Sequence, residues 1–214
     1  MKNPVWIFDL DNTLHNATPH IFPHINRSMT AYLQRHLVMN EQAASELRVD
    51  YWHRYGATLS GMMKHHDTDP DHFLWHTHQF PDLKRMVKSE PQLRHVLRKL
   101  HGMKLLFSNA PQSYARDILK ILRIDDLFED VFAIENAGYC PKPQLKGFIR
   151  LLRKHHLNPA RCVMVEDSAE NLHAAKRLGM RTVWINRDLR YPAFVDIKIH
   201  RVTDLPRALS RLVK

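Results

Sequence analysis

The sequence predicts an α/β fold, in which helices flank a parallel sheet and an α-helical cap is inserted after the first strand. From about residue 91, short apolar stretches alternate with amphipathic helical patterns, which is typical of a parallel sheet with crossover helices. An apolar run at residues 5–8 has the same composition as those strands, yet helical patterns separate it from them. We therefore assign the core to residues 1–14 and 87–214 and the cap to residues 15–86.

The individual elements follow from their hydrophobic periodicity. The run VWIF at residues 5–8 is unbroken, as in a strand that is buried on both faces. Helical patterns then occupy residues 25–37, 41–55 and 69–80. Pro70 is typical of the first turn of the last of these helices. The later elements alternate between helix and strand in this order: PQLRHVLRKL, MKLLFSN, PQSYARDILKIL, DVFAIE, PQLKGFIRLLRKHH, RCVMVED, SAENLHAAKRLG and RTVWIN.

Composition excludes several classes of protein. The chain has 214 residues, of which 44% are hydrophobic and 25% charged, an ordinary globular composition. It has no run of about 18 or more apolar residues, so no membrane-spanning helix is expected. Acidic residues stand where a signal peptide would be apolar, which argues against export. Cys140 and Cys162 are too few for a disulfide framework, so a cytoplasmic location is expected.

The formal net charge of +10 raises the question of nucleic-acid binding. The basic residues are dispersed over helical patterns, as in LRKLHGMK and AAKRLG, and they form no zinc-finger spacing or basic arm. Specific nucleic-acid binding is therefore not expected. A basic surface would instead raise the local concentration of a small anionic substrate.

Polar side chains cluster at the predicted carboxyl ends of the strands, where ligand sites form in open α/β sheets. They are Asp9, Asp11 and Thr13 after the first strand, Ser108 and Asn109 after the second, and Glu166 and Asp167 after the fourth. Clustered carboxylates favour Mg²⁺, a hard cation that takes oxygen ligands. Lys142 stands between two prolines and supplies a rigidly presented positive charge. Together these groups indicate phosphoryl-transfer chemistry.

Each of these residues alone has a simpler interpretation. An aspartate after a strand is usually a turn or N-cap residue, and this applies to Asp9 and Asp11 taken singly. Lys142 alone would be a solvated loop lysine, and Glu166 with Asp167 would lead into the N-cap of the next helix. The combination of all of them, in this order along the chain, favours a functional site.

Four motifs carry a resemblance to a known family. FDLDNTL resembles its first motif, with Asp9 as nucleophile and Asp11 as acid/base, and LLFSNA resembles its second, with Ser108 contacting phosphate. Lys142 in CPKP matches the third motif, and VEDSAEN matches the fourth. By these motifs the chain resembles the haloacid dehalogenase-like (HAD) hydrolase superfamily over essentially its whole length.

The resemblance implies a Rossmann-like core and a Mg²⁺ ion. The ligands it implies are Asp9, the backbone carbonyl of Asp11, Asp167 and Glu166. Asn12 occupies a position where glycine is common in the family, and asparagine tolerates the tight backbone of such a turn.

The resemblance also implies a mechanism for a phosphate ester. Asp9 attacks phosphorus and forms an aspartyl-phosphate, while Lys142, Ser108 and the Asn109 amide support the phosphate oxygens. Asp11 protonates the leaving alkoxide and then deprotonates the hydrolytic water. The dehalogenases of this superfamily lack an acid at the position of Asp11, so dehalogenation is disfavoured.

The segment YWHRYGATLSGMM is the part of the cap that bears on specificity. Its simplest interpretation is a glycine-punctuated turn between cap helices. It also resembles a segment of the pyrimidine 5′-nucleotidase subgroup, which implies that Tyr55, Gly56 and Thr58 select a pyrimidine nucleoside 5′-monophosphate. Two alternatives stay open: a broader phosphatase acting on sugar phosphates or flavin mononucleotide, and a basic binding module without catalysis.

Two further features have simple interpretations that we favour. His72 and His76 are four residues apart in a histidine-rich stretch and could share a helical face suited to a transition metal. Solvated imidazoles on the cap surface are the favoured interpretation. Cys140, which stands two residues before Lys142, is interpreted as a small loop hydrophobe.

Overall fold

The computed structural model of the protein describes residues 3–208, and its centre is a six-stranded parallel sheet. The strands lie in the order β3-β2-β1-β4-β5-β6, and every neighbouring pair is parallel. Their bounds are Val5–Phe8 (β1), Lys104–Phe107 (β2), Asp130–Phe132 (β3), Cys162–Glu166 (β4), Arg181–Ile185 (β5) and Ile197–Ile199 (β6). The predicted α/β class with a Rossmann-like sheet is therefore confirmed.

Helices follow the strands and fill the long connection between β1 and β2. That connection contains α1 (Ile21–Leu37), α2 (Glu41–Tyr55), α3 (Thr58–His66), α4 (Pro70–Thr77), α5 (Leu83–Met86) and α6 (Leu93–Lys99). The later helices are α7 (Gln112–Ile121), α8 (Leu145–Lys154), α9 (Ala169–Arg177) and α10 (Leu205–Ala208). No helix within residues 3–208 is long and apolar enough to span a bilayer. The division into a core and a cap at residues 15–86 stays a prediction.

Two helices of the long connection have well-defined starts. The Asn40 side chain accepts a 2.9 Å hydrogen bond from the backbone N–H of Ala43 and so caps α2. The Asp69 side chain does the same for α4, accepting a 2.7 Å bond from the His72 N–H, with Pro70 in the first turn. Side-chain caps and a pre-set proline backbone thus explain why these helices begin where the sequence predicts.

The structure differs from the prediction in the segment that follows α2. Gly56, with a φ of +79°, ends that helix in the left-handed region, and α3 begins only two residues later. Gly61 therefore lies inside α3 and not in a turn. A Cβ added there would lie 2.2 Å from Cγ of Tyr51. Close packing of two helices, rather than chain reversal, explains this glycine.

The structure also differs at the third strand. The pattern DVFAIE predicted six residues, whereas β3 ends at Phe132. The chain turns directly afterwards, because the Ala133 N–H donates to the Asn136 side chain (2.9 Å) and the Ala137 N–H donates to the Ala133 carbonyl (3.1 Å). The helices α3, α5 and α10 and the strand β6 had no counterpart in the sequence-based prediction.

Strand β1 lies in the middle of the sheet and is buried on both faces, as its unbroken apolar run predicts. Trp6 and Phe8 join the apolar cluster that includes residues of α6 and α7. Val5 and Ile7 point to the opposite face and join the cluster formed with α8 and α9. The alternation of side chains along a strand thus gives this one element a place in both halves of the core.

The helical connection has an apolar cluster of its own. Tyr32, Leu33, Tyr51 and Phe73 are buried in it, and Ile134, from the loop after β3, packs into the same cluster. Helices α1 to α4 therefore share an apolar core of their own, and Ile134 links this core to the end of β3, whereas α6 packs against the sheet.

The strand order determines where a site can form. Successive strands proceed in one direction from β1 through β2 to β3, and in the other direction from β4 through β5 to β6. The sheet therefore has its topological switch point between β1 and β4, and ligand sites of open α/β sheets form at the carboxyl ends of the strands at such a point. Asp9 follows β1 directly, and Glu166 is the last residue of β4.

Candidate active site

The turn after β1 places Asp9 and Asp11 at the switch point. The Asp9 N–H donates a 3.0 Å hydrogen bond to the Val165 carbonyl, which extends the pairing of β1 with β4 by one residue. Asn12 then adopts a φ of +62°, and its side-chain oxygen accepts a 3.0 Å bond from the Ala17 N–H. Asparagine thus supplies both the left-handed backbone and a side-chain acceptor that closes the turn.

Lys142 is buried at the centre of the site, and its ammonium group has three protein acceptors. Nζ lies 2.7 Å from Oδ1 of Asp9, 2.8 Å from the Phe107 carbonyl and 2.8 Å from Oε2 of Glu166. These bonds use all three donors of the ammonium. Lys142 therefore joins the ends of β1, β2 and β4, and it fixes one carboxylate oxygen of Asp9.

The residues after β2 take two different roles. The Asn109 side chain donates to the Lys142 carbonyl (3.0 Å) and accepts from the Lys142 N–H (2.7 Å), so it holds the lysine loop in place. Ser108 is buried, and its Oγ accepts a 3.0 Å bond from the Ala110 N–H. The hydroxyl hydrogen of Ser108 remains available as a donor. The side chain of Asn109 thus acts on Lys142, whereas Ser108 can act on a bound oxygen.

Three carboxylates converge in a geometry suited to a metal ion. Asp9, Glu166 and Asp167 each offer an oxygen, and these oxygens lie within 4.8 Å of one another. Glu166 has donors on both oxygens, since Oε2 accepts from Lys142 and Oε1 accepts from the Ser168 N–H at 3.2 Å. The Asp11 carboxylate is not a member of this group.

Burial disfavours the charged forms of these three carboxyl groups. It raises the pKa of Asp9 to about 7; the charge of Glu166 raises this pKa further, while the charge and hydrogen bond of Lys142 lower it. Burial likewise raises the pKa of Glu166 to about 7 and that of Asp167 to about 6. Burial alone would lower the pKa of Lys142, but Asp9 and Glu166 together raise it. Three carboxylates therefore face one ammonium, and the donor set fits a hard divalent cation.

The carboxylate of Asp11 has neighbours that the sequence analysis did not identify. Oδ1 accepts a 2.7 Å hydrogen bond from the Tyr114 hydroxyl and lies 2.9 Å from Nε2 of His15. Burial and the nearby Asp11 charge raise the pKa of Tyr114, so its hydroxyl stays a donor. The four-residue spacing of Asp11 and His15 was visible in the sequence. Tyr114 is more than a hundred residues away and is brought to Asp11 only by the fold.

A model of the haloacid dehalogenase-like hydrolase family matches residues 5–179 of the chain. The chain belongs to this family. The matched range contains every motif residue of the switch-point site, from Asp9 to Asp167. The predicted superfamily is therefore confirmed.

Curated relatives share moderate identity with the chain. It is 27% identical over 206 residues to "Phosphate metabolism protein 8" of Saccharomyces cerevisiae, covering 87% of this chain and 63% of that protein. It is 26% identical over 154 residues to a "Phosphoglycolate phosphatase" of Vibrio vulnificus, covering 69% of this chain and 57% of that protein. The chain thus spans less than two thirds of the length of these relatives.

Solved structures show the same fold. A HAD phosphatase from Thermococcus onnurineus aligns with a TM-score of 0.69 at 22% identity, over 96% of this chain and 97% of the other. An L-2-haloacid dehalogenase from Xanthobacter autotrophicus aligns with a TM-score of 0.63 at 13% identity, over 97% and 98%. Phosphatases and dehalogenases share this architecture, so the reaction has to be argued from the site residues.

Of the three residues predicted to select the substrate, Tyr55 is the last residue of α2, Gly56 follows it, and Thr58 is the first residue of α3. The Tyr55 carbonyl accepts a 3.4 Å hydrogen bond from the Gln144 side chain, and a Cβ added to Gly56 would lie 4.0 Å from Pro143. The end of α2 therefore contacts the loop that carries Lys142. The Thr58 hydroxyl is buried and donates to the Arg48 carbonyl at 3.0 Å.

The histidine-rich stretch forms part of an exposed face. The His72 and His76 rings lie 4.4 Å apart on α4, and Nδ1 of His72 lies 2.9 Å from the Tyr32 hydroxyl. Within residues 3–208, the acidic group at the switch point is the sole set of three metal-ligating side chains with converging ligand atoms. Cys140 is half-buried and forms no disulfide.

Proposed function

We propose that this HAD-family hydrolase is a phosphomonoesterase that works through an aspartyl-phosphate on Asp9. The observation that carries the proposal is the pair of carboxyl groups after β1. Lys142 holds Oδ1 of Asp9 and leaves Oδ2 as the nucleophile, while Asp11 stands two residues further on as a proton donor. The names of the relatives from yeast and Vibrio are in keeping with phosphate chemistry.

The proposed reaction has two balanced steps. In the first, Oδ2 of Asp9 bonds to phosphorus, the ester P–O bond breaks, and Asp11 gives its proton to the departing alkoxide. In the second, water attacks the same phosphorus, its proton passes to Asp11, and the Asp9 P–O bond breaks to release inorganic phosphate. The buried ammonium of Lys142 limits charge repulsion, and Ser108 donates to a phosphate oxygen.

The residues at the switch point fit Mg²⁺. We propose Asp9, Asp167 and the backbone carbonyl of Asp11 as its ligands. Glu166 has hydrogen-bond donors on both oxygens, so we propose that it acts chiefly by fixing Lys142. Bound Mg²⁺ would neutralise phosphate oxygens and reduce their repulsion of an anionic nucleophile.

We propose pyrimidine nucleoside 5′-monophosphates as the substrates, with residues 15–86 acting as the cap that selects them. The hydrogen bond from the Gln144 side chain to the Tyr55 carbonyl, and the position of Gly56 beside Pro143, support a role for this segment next to the lysine loop. The second candidate is a small phosphorylated metabolite, which the phosphoglycolate phosphatases among the relatives favour. We expect the reaction in a reducing compartment such as the cytoplasm, because Cys140 and Cys162 are free thiols.

The test is hydrolysis of p-nitrophenyl phosphate with and without Mg²⁺, followed by UMP, CMP, AMP, GMP, phosphoglycolate and flavin mononucleotide. We expect Mg²⁺-dependent hydrolysis and higher kcat/KM for UMP and CMP, by roughly 10- to 200-fold, as is typical of discrimination by pocket size. Equal rates on all nucleotides, or faster hydrolysis of phosphoglycolate, would favour the broader phosphatase. A wild-type protein inactive on every ester would favour the binding module.

The role of the segment after α2 is tested with Thr58→Ala. The substitution removes the bond to Arg48 and so releases the position of the segment; we expect the kcat/KM ratio between UMP and AMP to change severalfold, by about 1 kcal/mol. Hydrolysis of p-nitrophenyl phosphate, which has no base, should be retained. Thr77→Ala is a matched control, because its buried hydroxyl donates to the Phe73 carbonyl at 2.8 Å within α4. An unchanged ratio in Thr58→Ala would remove Thr58 from the specificity residues.

A further inference from the structure

Two side chains from different parts of the chain converge on a single oxygen of Asp11. The Tyr114 hydroxyl, from the first turn of α7, donates to Oδ1 at 2.7 Å. Nε2 of His15, from the loop after β1, lies 2.9 Å from the same atom. The two groups also lie 3.5 Å from each other. Both contacts involve Oδ1, and Oδ2 of Asp11 has no hydrogen-bond partner among residues 3–208.

The surroundings of His15 give it no other polar partner. The residue is 3% exposed, and within residues 3–208 its Nδ1 has no hydrogen-bond partner. Its polar contacts are all made through Nε2, to Asp11 and Tyr114. A buried imidazole with one unpaired nitrogen weakens the fold, so packing does not explain why a polar ring stands here.

Tyr114 is held in place by residues that follow α4. Its ring lies 5.3 Å from the Phe80 ring and 5.8 Å from the His78 ring. Tyr114 is also 2% exposed, so the phenol has one orientation in which the hydroxyl reaches Asp11. The substitution Tyr114→Phe keeps the ring contacts and removes only the hydroxyl.

We propose that Tyr114 and His15 are positioning residues, which bind Oδ1 of Asp11 and so direct Oδ2 towards the ester oxygen. The inference deepens the proposed phosphomonoesterase function and rests on it. Displacement of a catalytic group by about 1 Å costs up to roughly a hundredfold in rate, and general acid catalysis contributes about 10²- to 10⁴-fold. Loss of these two contacts should therefore slow the steps in which Asp11 moves a proton.

The two proton transfers can be separated by the leaving group. An alkoxide needs a proton as it departs, whereas p-nitrophenolate is stable as an anion. The parameter kcat/KM reports the steps up to the formation of the aspartyl-phosphate, and kcat includes its hydrolysis. A defect in the position of Asp11 is therefore visible in kcat/KM for an alkyl ester and, for p-nitrophenyl phosphate, only in kcat.

The experiment compares wild type and Tyr114→Phe on p-nitrophenyl phosphate and on the alkyl phosphate that the wild type hydrolyses best. For Tyr114→Phe we expect kcat/KM on the alkyl ester to fall by about 10- to 100-fold, with a change of less than about threefold on p-nitrophenyl phosphate. The variant should also show a burst of about one p-nitrophenolate per enzyme, because hydrolysis of the aspartyl-phosphate becomes limiting.

A second pair of variants tests His15 separately. His15→Leu removes the hydrogen bond to Asp11, whereas His15→Gln keeps an N–H donor at a similar reach. We expect the glutamine variant to retain at least several times more alkyl-ester kcat/KM than the leucine variant. Tyr32→Phe is the matched control, since Tyr32 is a buried tyrosine whose hydroxyl, among residues 3–208, hydrogen-bonds to His72 and not to Asp11. It should leave both esters unaffected.

The outcomes are distinguishable. If kcat/KM fell equally on both esters in folded Tyr114→Phe and His15→Leu, and no burst appeared, the two residues would only support packing. That result would overturn the inference. Unchanged alkyl-ester hydrolysis in both variants would overturn it as well. An inactive wild type would instead overturn the proposed function and the inference together. Thermal unfolding of each variant establishes that it is folded.

Discussion

The switch-point site and the helical connection between β1 and β2 use charged side chains in opposite ways. In the site, Lys142 and Asp9 form an ion pair whose side chains are 1% and 10% exposed. On α2, Arg54 and Asp50 form a pair at the same 2.7 Å separation, with side chains 67% and 38% exposed. The two pairs have the same N–O separation, but only the first pair is shielded from solvent.

This difference in solvent exposure predicts which charged residues tolerate substitution. A buried charge depends on every partner that surrounds it, because removal of one partner leaves the others without solvation. An exposed pair regains water when it is broken and contributes little to stability. Substitutions at the site should therefore have large effects on activity and stability, whereas substitutions on the outer faces of α2 and α4 should have small ones.

The largest effect is expected for Asp9→Asn. An amide cannot form the aspartyl-phosphate, so kcat should fall by more than about a hundredfold, which corresponds to roughly 2.7 kcal/mol of barrier. The measurement is steady-state hydrolysis of p-nitrophenyl phosphate with Mg²⁺, accompanied by thermal unfolding. A folded variant that kept more than about a hundredth of wild-type kcat would exclude nucleophilic catalysis by Asp9.

The comparison of the two ion pairs is tested directly by Lys142→Met and Arg54→Met. Lys142→Met leaves Asp9 and Glu166 buried without a cation, so the free energy of unfolding should fall by about 3–5 kcal/mol at pH 8. Arg54→Met should change it by less than about 1 kcal/mol. Denaturant unfolding measures both. Similar losses in the two variants would show that burial does not distinguish these regions.

The pH dependence of metal binding follows from the raised pKa values of Asp9, Glu166 and Asp167, about 7, 7 and 6. Folded-state values above those of the unfolded chain mean that the metal-free fold binds extra protons. Its stability from these groups is therefore present at low pH and is lost as pH rises through 6 to 7. Mg²⁺ competes with these protons.

We accordingly expect the increase in Tm on adding Mg²⁺ to be several degrees at pH 8 and close to zero at pH 5.5, because at the lower pH the carboxyl groups are protonated. Differential scanning calorimetry with and without a chelator measures this difference.

Ca²⁺ should restore less activity than Mg²⁺ after chelation, since it tolerates extra ligands and a less regular site. A Mg²⁺ effect that is equal at both pH values, or full activity in excess chelator, would argue against this metal site.

The smallest effect is expected for His76→Ala on the exposed face of α4. The imidazole packs beside His72 at a ring separation of 4.4 Å, and its loss should change the free energy of unfolding by less than about 0.5 kcal/mol. Activity with Mg²⁺ should be unchanged. A strong loss of activity in His76→Ala would instead assign a metal role to these histidines, provided that Zn²⁺ reactivates chelator-treated wild type but not the variant.

Features that depend on local pattern could be predicted from the sequence. Unbroken apolar runs identify strands buried on both faces, so β1 and β4 could be recognised from composition. Acidic residues at the ends of those strands indicated where the site lies, because parallel strands bring their carboxyl ends to one edge. Helix α2 was predicted with its observed bounds, Glu41–Tyr55, since periodicity and capping act over a few residues.

Features that depend on contacts between residues distant in sequence could not be predicted from local pattern. Gly61 follows a turn-like pattern, but it lies inside α3 because Tyr51 packs against it. β6 has three residues and is a strand only through its pairing with β5, which no periodicity over so short a run could indicate. Tyr114 meets Asp11 across 103 positions, since the strand order places α7 beside the turn after β1. Such contacts arise from packing, which sequence pattern does not encode locally.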